Sequence, residues 1–167
     1  MSSTAAAMTY TSQEVQQMAK VSARELQYWD EQHVLPKAIV QSKHSRQFAP
    51  LQLAQVGIVK EMRRHGIALY KIHCLLRTKS LSTAIEASLP DDDGFYGKAN
   101  MFYLLTNGNR LCKIAKSPDD VICVLRCAKE ALHCIPLHWV VQRILPTTQT
   151  MVDAFSAESE RLLQESA

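Results

Sequence analysis

The chain has 167 residues, of which 47% are hydrophobic and 21% charged, and its formal net charge is +3. These values are typical of a folded globular protein and exclude a fibrous repeat or a wholly disordered chain. Its longest apolar stretches, such as "CIPLHWVV", are shorter than the roughly 18 residues that a membrane helix needs, so we expect no membrane partner.

The first eight residues, "MSSTAAAM", lack the basic start and the apolar core of a signal peptide. We therefore predict that residues 1–8 are a disordered tail and that the protein is cytoplasmic. The basic excess lies in the first half of the chain. Residues 1–77 carry ten Lys and Arg against five Asp and Glu, whereas residues 78–167 carry nine against eleven. This asymmetry indicates a polyanion-binding module joined to a segment with another role.

Two capping boxes predict two short helices at the start of the chain. Thr11 is followed three residues later by Glu14, and Ser22 is followed three residues later by Glu25. Only two residues separate Ala19, the last residue of the first helix, from the second cap. The two helices must therefore cross sharply, as in a helix-turn-helix.

The next segment predicts a small two-stranded wing and two further helices. In "KAIVQSKHSRQFAP", β-branched residues and a short basic run precede Phe48, which suits a β-ribbon. Pro50 suits the first turn of a third helix, and Gly66 suits its end. "IALYKIHCLLR" then supplies the apolar face of a fourth helix.

The sequence after residue 77 predicts a linker and a small α/β unit. "LSTAIEASL" suits a short helix, and "PDDDGFYG" excludes regular structure. Asn107-Gly108 predicts a hairpin of two antiparallel strands, and Ser117-Pro118 predicts the start of a helix with Val121, Val124, Leu125 and Ala128 on its apolar side. We interpret "LHWVVQRIL" as a third strand and residues 148–164 as a final amphipathic helix.

Residues 9–77 resemble the N-terminal DNA-binding domain of the MerR family of bacterial transcription regulators. The matching stretches are "YTSQEVQQMAKVSARELQYWDEQHVLP", "SRQFAP" and "MRRHGIALYKIHCLL", in that order. We thus predict a mainly α protein, with a winged helix-turn-helix in residues 9–77 and a linker in residues 78–98. Residues 99–167 are predicted to form a small α/β regulatory or dimerisation domain (hairpin, helix, strand) that ends in the amphipathic helix.

The resemblance implies that the segment from Ser22 to Asp30 is a recognition helix lying in the major groove of DNA. It implies that Arg24 contacts a base or a phosphate and that Tyr28 contacts a phosphate, while Trp29 is a core residue. Gln27 stands where the family usually has a second arginine, which favours an adenine edge over a phosphate. The DNA-binding residues that we predict are Ser22, Arg24, Gln27, Tyr28, Lys43, His44 and Arg46.

The function expected from these residues is that of a sequence-specific transcription regulator, which binds an inverted-repeat operator in double-stranded DNA as a homodimer. The resemblance also implies RNA polymerase as a partner, and it leaves the effector unknown. No long helix follows residue 77, so we place dimerisation in the C-terminal region, at residues 148–164. The alternative is an adaptor or nucleoid-associated protein that uses DNA only as a tether for protein partners.

The other candidate chemistries have weaker patterns. The five cysteines include no CxxC pair. Cys123 and Cys127, with His133, Cys134 and His138 nearby, could suit a soft metal, but cysteines on an apolar helix face are more often small core residues. The acidic run at residues 91–93 has no histidine partner, and no P-loop, GxSxG or HExxH motif is present. We therefore expect no enzyme activity, no metal and no cofactor.

Overall fold

The computed structural model describes residues 9–35, 40–42, 45–90, 101–109 and 111–145. These residues are mostly helical and also form two small antiparallel sheets. The helices are α1 (Ser12–Ala19), α2 (Ala23–Glu31), α3 (Pro50–Arg64), α4 (Leu69–Leu76), α5 (Lys79–Glu86), α6 (Pro118–Cys127) and α7 (Leu137–Ile144). The strands are β1 (Tyr10–Thr11), β2 (Val40–Ser42), β3 (Ser45–Phe48), β4 (Tyr103–Thr106), β5 (Cys112–Ala115) and β6 (His133–Pro136).

Both predicted capping boxes are present and set the starts of α1 and α2. The Glu14 backbone N–H donates to Thr11 Oγ1 over 3.3 Å, and the Glu14 carboxylate accepts from the Thr11 N–H over 2.7 Å. At the second box the corresponding distances are 3.1 Å and 2.9 Å. Lys20 ends α1 in the left-handed conformation, with φ of 53°. This sharp turn allows the two short helices to cross as a helix-turn-helix.

The wing forms as predicted and gains a third strand that the sequence did not indicate. β2 and β3 pair antiparallel, and β1 pairs with the other edge of β3, with Tyr10 opposite Phe48. Phe48 is buried. The wing is therefore tied to the start of α1 as well as to its own hairpin.

Helix α3 is the central element of the described structure. Pro50 occupies its first turn, as predicted, and its buried residues lie on more than one face: Leu53, Ala54, Gln55, Val56, Gly57, Ile58, Val59 and Met62. It contacts α1 and α4, which belong to the part of the chain before position 77, and α5 and α7, which belong to the part after it. One cluster of buried apolar side chains accordingly runs from residues before position 77 to residues after position 100.

The predicted hairpin at Asn107-Gly108 is confirmed, and the second sheet has the order β5-β4-β6. Ser117 caps α6 as predicted, through its Oγ and the Asp120 N–H at 3.1 Å. No residue of α6 is buried, however, and the Leu125 side chain is 45% exposed. The expectation that α6 packs an apolar face into the core is therefore wrong.

The prediction that "LHWVVQRIL" is a strand is also wrong. The third strand of the sheet is the preceding segment, β6, and the apolar run forms α7. Its buried residues Leu137, Val140, Val141 and Ile144 recur at positions i, i+3, i+4 and i+7. That spacing is helical, and it places these residues against α3 and α5.

Several predictions fall on residues that the structure does not describe. These are the tail at residues 1–8, most of the acidic loop at residues 91–98 and the amphipathic helix at residues 148–164. The predicted helix in the linker is present as α5. Within the described ranges, no helix combines the length and apolar character that crossing a bilayer requires.

Candidate nucleic-acid interface

The outward face of α2 carries three of the predicted DNA-binding residues. Leu26 and Trp29 are buried on one side of the helix, whereas Arg24, Gln27 and Tyr28 are exposed on the opposite side. Tyr28 is 49% exposed. One side of α2 therefore packs on the core, and the opposite side is exposed and can contact a ligand.

Arg24 is the basic residue of this face, and its side chain is exposed. It lies in the first turn of α2 and makes no hydrogen bond or ion pair with the described part of the chain. A guanidinium offers five N–H donors that match a guanine edge or a phosphate. Arg24 can therefore offer all of its donors to a nucleic acid without breaking an existing contact.

Ser22 acts as the cap that starts the helix. Its hydroxyl donates to Glu25 Oε2 over 3.0 Å and accepts the Glu25 N–H over 3.1 Å. The hydroxyl hydrogen is thus already used within the capping box. Ser22 orients the first turn of α2, and only its second lone pair is left for another donor.

Ion pairs hold α2 on both flanks of its buried stripe. Glu25 Oε1 accepts from Lys60 Nζ of α3 over 2.8 Å. Asp30 Oδ2 pairs with Arg46 Nη1 of β3 over 2.7 Å. The hydrogen bond from Lys60 is the largest cause that holds the pKa of Glu25 below its ordinary value of 4.5, followed by the Ser22 backbone N–H. The helix is thereby fixed against both α3 and the wing.

The wing contributes one described candidate, Arg46. Its contact with Asp30 was not predicted, and it ties the base of the wing to the end of α2. Its guanidinium has further N–H groups beyond the one that Asp30 accepts. Lys43 and His44, the other predicted wing residues, lie outside the described residues.

An acidic residue beside the predicted contacts was missed. Glu31 lies on the exposed face of α2, and its Oε1 accepts from Gln27 Nε2 over 2.8 Å. The Gln27–Glu31 spacing of four residues was the available signal. The bond orients the Gln27 amide and leaves its oxygen free to accept.

The basic run of α3 is occupied by contacts within the protein. Besides the Lys60 contact, Arg63 donates to the Ile67 carbonyl over 2.9 Å. Arg64 lies 3.5 Å from Glu61, whose other carboxylate oxygen pairs with Arg143 of α7 at 3.2 Å. These side chains stabilise helix ends and the contact between α3 and α7.

The cysteine and histidine set does not form one cluster. Among the described residues, no group of three or more His, Cys, Asp or Glu side chains is arranged to hold a metal ion. Cys123 and Cys127 are exposed on α6, so the expectation that they are small core residues is wrong.

Comparison with known families agrees with this geometry. Residues 10–79 match the family described as MerR HTH family regulatory protein. This segment is therefore similar to the helix-turn-helix of MerR regulators, which suggests a DNA-binding transcription regulator. The match ends near the start of α5 and covers less than half of the chain. No curated protein matches the chain in sequence.

Proposed function

We propose that this protein is a sequence-specific regulator of transcription that binds an inverted-repeat operator as a homodimer. The observation that carries the proposal is the exposed face of α2, where Arg24, Gln27 and Tyr28 lie opposite the buried stripe of a MerR helix. The proposal assigns the protein to the cytoplasm and gives it no catalytic activity, metal or cofactor.

Each residue of this face has a distinct chemical role in the proposal. Arg24 donates to a guanine edge or a phosphate, and Gln27, with its amide oriented by Glu31, reads a base edge. The Tyr28 hydroxyl donates to a phosphate. Arg46 keeps its bond to Asp30 and uses its remaining N–H groups on the backbone of the adjacent groove. Lys43 and His44 add positive charge to the wing.

Two elements could hold the dimer together. The first is the sequence-predicted helix at residues 148–164. The second is α6, which buries no residue and exposes Ile122 and Leu125. Antiparallel pairing of α6 with a second copy would set the acidic start of one helix, Asp119 and Asp120, beside the basic end of the other, at Arg126.

Sedimentation of two variants distinguishes these elements. If α6 forms the interface, Leu125→Asp sediments as a monomer at micromolar concentration, and a chain truncated after Leu145 remains dimeric. If residues 148–164 form it, the results are reversed. A monomeric wild-type chain at these concentrations would contradict the dimer itself, whether or not the protein binds DNA.

The DNA-binding proposal is tested by selecting duplex fragments from a random library with the purified full-length protein. We expect an enriched inverted repeat with the wild type. Arg24→Ala should weaken binding to that repeat by about 1–3 kcal/mol. Lys113→Ala serves as a control because it removes one exposed positive charge from β5, outside the matched segment.

The alternative function, an adaptor that uses DNA as a tether, is favoured by the exposed apolar residues of α6. It predicts salt-dependent binding with no enriched sequence and a loss of affinity in Arg24→Ala that is the same for every duplex sequence. RNA polymerase is the partner expected for an activator. Transcription in vitro from a promoter that contains the selected repeat would test that step.

A further inference from the structure

A cavity lies between the turn that follows α2 and helices α3 and α4. Its volume is about 490 Å³, within the range of small-molecule sites in proteins. Its lining residues are His33, Val34, Leu35, Gln55, His73, Leu76 and Arg77. All of them belong to described parts of the chain, and none is among the predicted DNA contacts.

Gln55 is the feature that indicates a ligand. It lies on α3, lines this cavity, and is only 8% exposed. Its Oε1 is buried and has no hydrogen-bond partner within the described structure. Native proteins rarely leave a buried polar atom unsatisfied, because the lost hydrogen bonds to water are not replaced. A bound molecule that donates an N–H or O–H to Oε1 would supply the missing bond.

The other polar residues that line the cavity indicate which further chemical groups such a molecule carries. Nδ1 of His73 lies 2.7 Å from the His33 carbonyl, so it carries a hydrogen and donates to that oxygen. Arg77 is exposed, at the end of α4, and makes no ion pair with the described residues. A cation at the rim favours a negatively charged group on the ligand.

The apolar lining defines the body of the molecule. Val34 and Leu35 are buried, and Leu76 is half-buried. Together they make part of the cavity lining hydrophobic, in the same cavity that Gln55 and Arg77 line. This arrangement suits a small molecule with an apolar body, a donor at one end and an anionic group at the other.

We propose that this cavity binds a small aromatic carboxylate that carries an O–H or N–H donor. The donor bonds to Gln55 Oε1, the ring packs on Leu76 and the carboxylate pairs with Arg77. The site lies within the DNA-binding segment, and the proposal goes beyond the proposed function.

The site is placed to affect DNA binding. His33, Val34 and Leu35 immediately follow α2, and His33 has a φ of 53°, so this turn is held in a restricted conformation. A ligand that contacts the turn would change the free energy of the arrangement between α2 and the wing. By linkage, DNA would change the affinity for the ligand by the same factor.

The test uses the full-length protein without DNA and three probes: 4-hydroxyphenylacetate, 4-hydroxybenzoate and indole-3-acetate. Phenylacetate is the control without a donor, and 4-hydroxyphenylethanol is the control without a carboxylate. We expect at least one probe to bind in calorimetry and to shift the amide NMR signals of residues that line the cavity. Each control should bind at least tenfold more weakly than the matching probe.

Two variants assign the binding to these side chains. Gln55→Leu removes the acceptor, so it should abolish the preference for 4-hydroxyphenylacetate over phenylacetate while leaving the melting temperature equal or higher. Arg77→Gln, a substitution on the surface, should weaken the binding of the carboxylates and leave the affinity for 4-hydroxyphenylethanol unchanged. Binding that is equal in wild type and in both variants would overturn the proposal. So would the absence of binding by every probe at millimolar concentration, which would leave water as the partner of Gln55.

These outcomes are independent of the proposed function. Ligand binding is measured in the absence of DNA, and operator selection is measured in the absence of ligand. Failure of the probes therefore leaves the DNA-binding proposal intact, and failure of the selection leaves the cavity proposal intact.

Discussion

At the scale of single residues, the exposed face of α2 carries opposite charges at its two ends. Arg24 lies near the start, and Glu31 closes the helix on the same side, where it accepts the hydrogen bond from Gln27. In the proposed complex, a carboxylate at this position lies near the phosphate backbone and opposes binding to any DNA sequence. It also restricts Gln27 to one orientation, which favours selectivity.

Glu31→Gln should therefore tighten binding to unrelated DNA and reduce discrimination. We expect about a two- to fivefold gain in affinity for random duplex at low salt, the effect of one exposed charge worth ~0.5–1 kcal/mol. The ratio of operator to random affinity should fall. Fluorescence anisotropy with both duplexes measures this, with Glu86→Gln on α5 as the control for the charge alone. An unchanged random-DNA affinity would contradict the placement of Glu31 beside the backbone.

Glu25 links acid stability to the position of α2. Its folded pKa lies below the ordinary value of 4.5, chiefly because of Lys60. A lowered folded pKa means that its stabilising contribution is fully present above the unfolded value and is lost as the pH falls through the folded value. Glu25→Gln should thus lower the stability at pH 7 and flatten the fall in stability below about pH 4.5.

Urea unfolding at several pH values between 3 and 7 checks this expectation. Glu86→Gln, which removes an exposed carboxylate from α5, is the control. A profile for Glu25→Gln as steep as that of the wild type would mean that the Lys60 contact contributes nothing to acid stability.

From the sequence, the exposure of single residues was easier to predict than the ion pairs and hydrogen bonds that they form. The helical period alone left open whether Tyr28 or Trp29 is buried beside Leu26, whereas the family resemblance implied that Trp29 is a core residue, and Trp29 is buried while Arg24 and Tyr28 are exposed. The Arg46 contact with Asp30 depends on how the wing folds back on α2, which no local pattern encodes. Partners that are distant in sequence follow from the tertiary arrangement, not from spacing.

At the scale of elements, predictions succeeded where backbone chemistry defines a boundary. The capping boxes gave the starts of α1 and α2, and Ser117-Pro118 gave the start of α6. The prediction for α7 was wrong because Trp139, Val140 and Val141 favour a strand by propensity. Burial of Leu137 and Ile144 against α3 outweighs that propensity.

Because α6 is exposed, we predict that its two thiols react readily with alkylating reagents. Cys123 and Cys127 are exposed on this helix, whereas Cys112 and Cys134 are partly covered in the second sheet. Burial raises the pKa of both Cys112 and Cys134, which lowers their thiolate fraction at pH 8. Alkylation at pH 8 should label Cys123 and Cys127 several-fold faster than the two sheet cysteines.

Peptide mass spectrometry after short exposure to iodoacetamide resolves the individual sites. Cys74, which is exposed on α4, provides the internal reference for an accessible thiol. Slow labelling of Cys123 and Cys127 relative to Cys74 would show that another surface covers α6 in solution.

At the scale of the whole molecule, α3 connects the MerR segment to the rest of the chain. It contacts α1 on one side and α7 on the other, and the Arg143–Glu61 pair adds a polar contact at 3.2 Å. The family match ends at residue 79, yet residues beyond position 100 contribute to the same buried cluster. The position of α7 should therefore affect the stability of the DNA-binding segment.

Gly57 is the point of closest approach between α3 and α7. A Cβ added there would overlap Ile144 Cδ1 and would lie 3.2 Å from Ile144 Cγ1. Gly57→Ala should therefore destabilise the fold by about 1–3 kcal/mol, despite the higher helix propensity of alanine. Urea unfolding measures this loss. Gly66→Ala is unsuitable as a control, because Gly66 has a positive φ of 78° and alanine would be strained there.

The matched control is a double-mutant cycle with Ile144→Val, which deletes the overlapping Cδ1 atom. Ile144→Val alone should cost about 0.5–1.5 kcal/mol through lost packing. In the double variant, alanine at position 57 should cost less than in the wild type, because the overlap with Cδ1 is gone and the nearest remaining atom lies 3.2 Å away. The two substitutions should thus be strongly non-additive. Additive losses would mean that α7 does not pack on α3 at Gly57, and this contact would then contribute nothing to the coupling of the two halves.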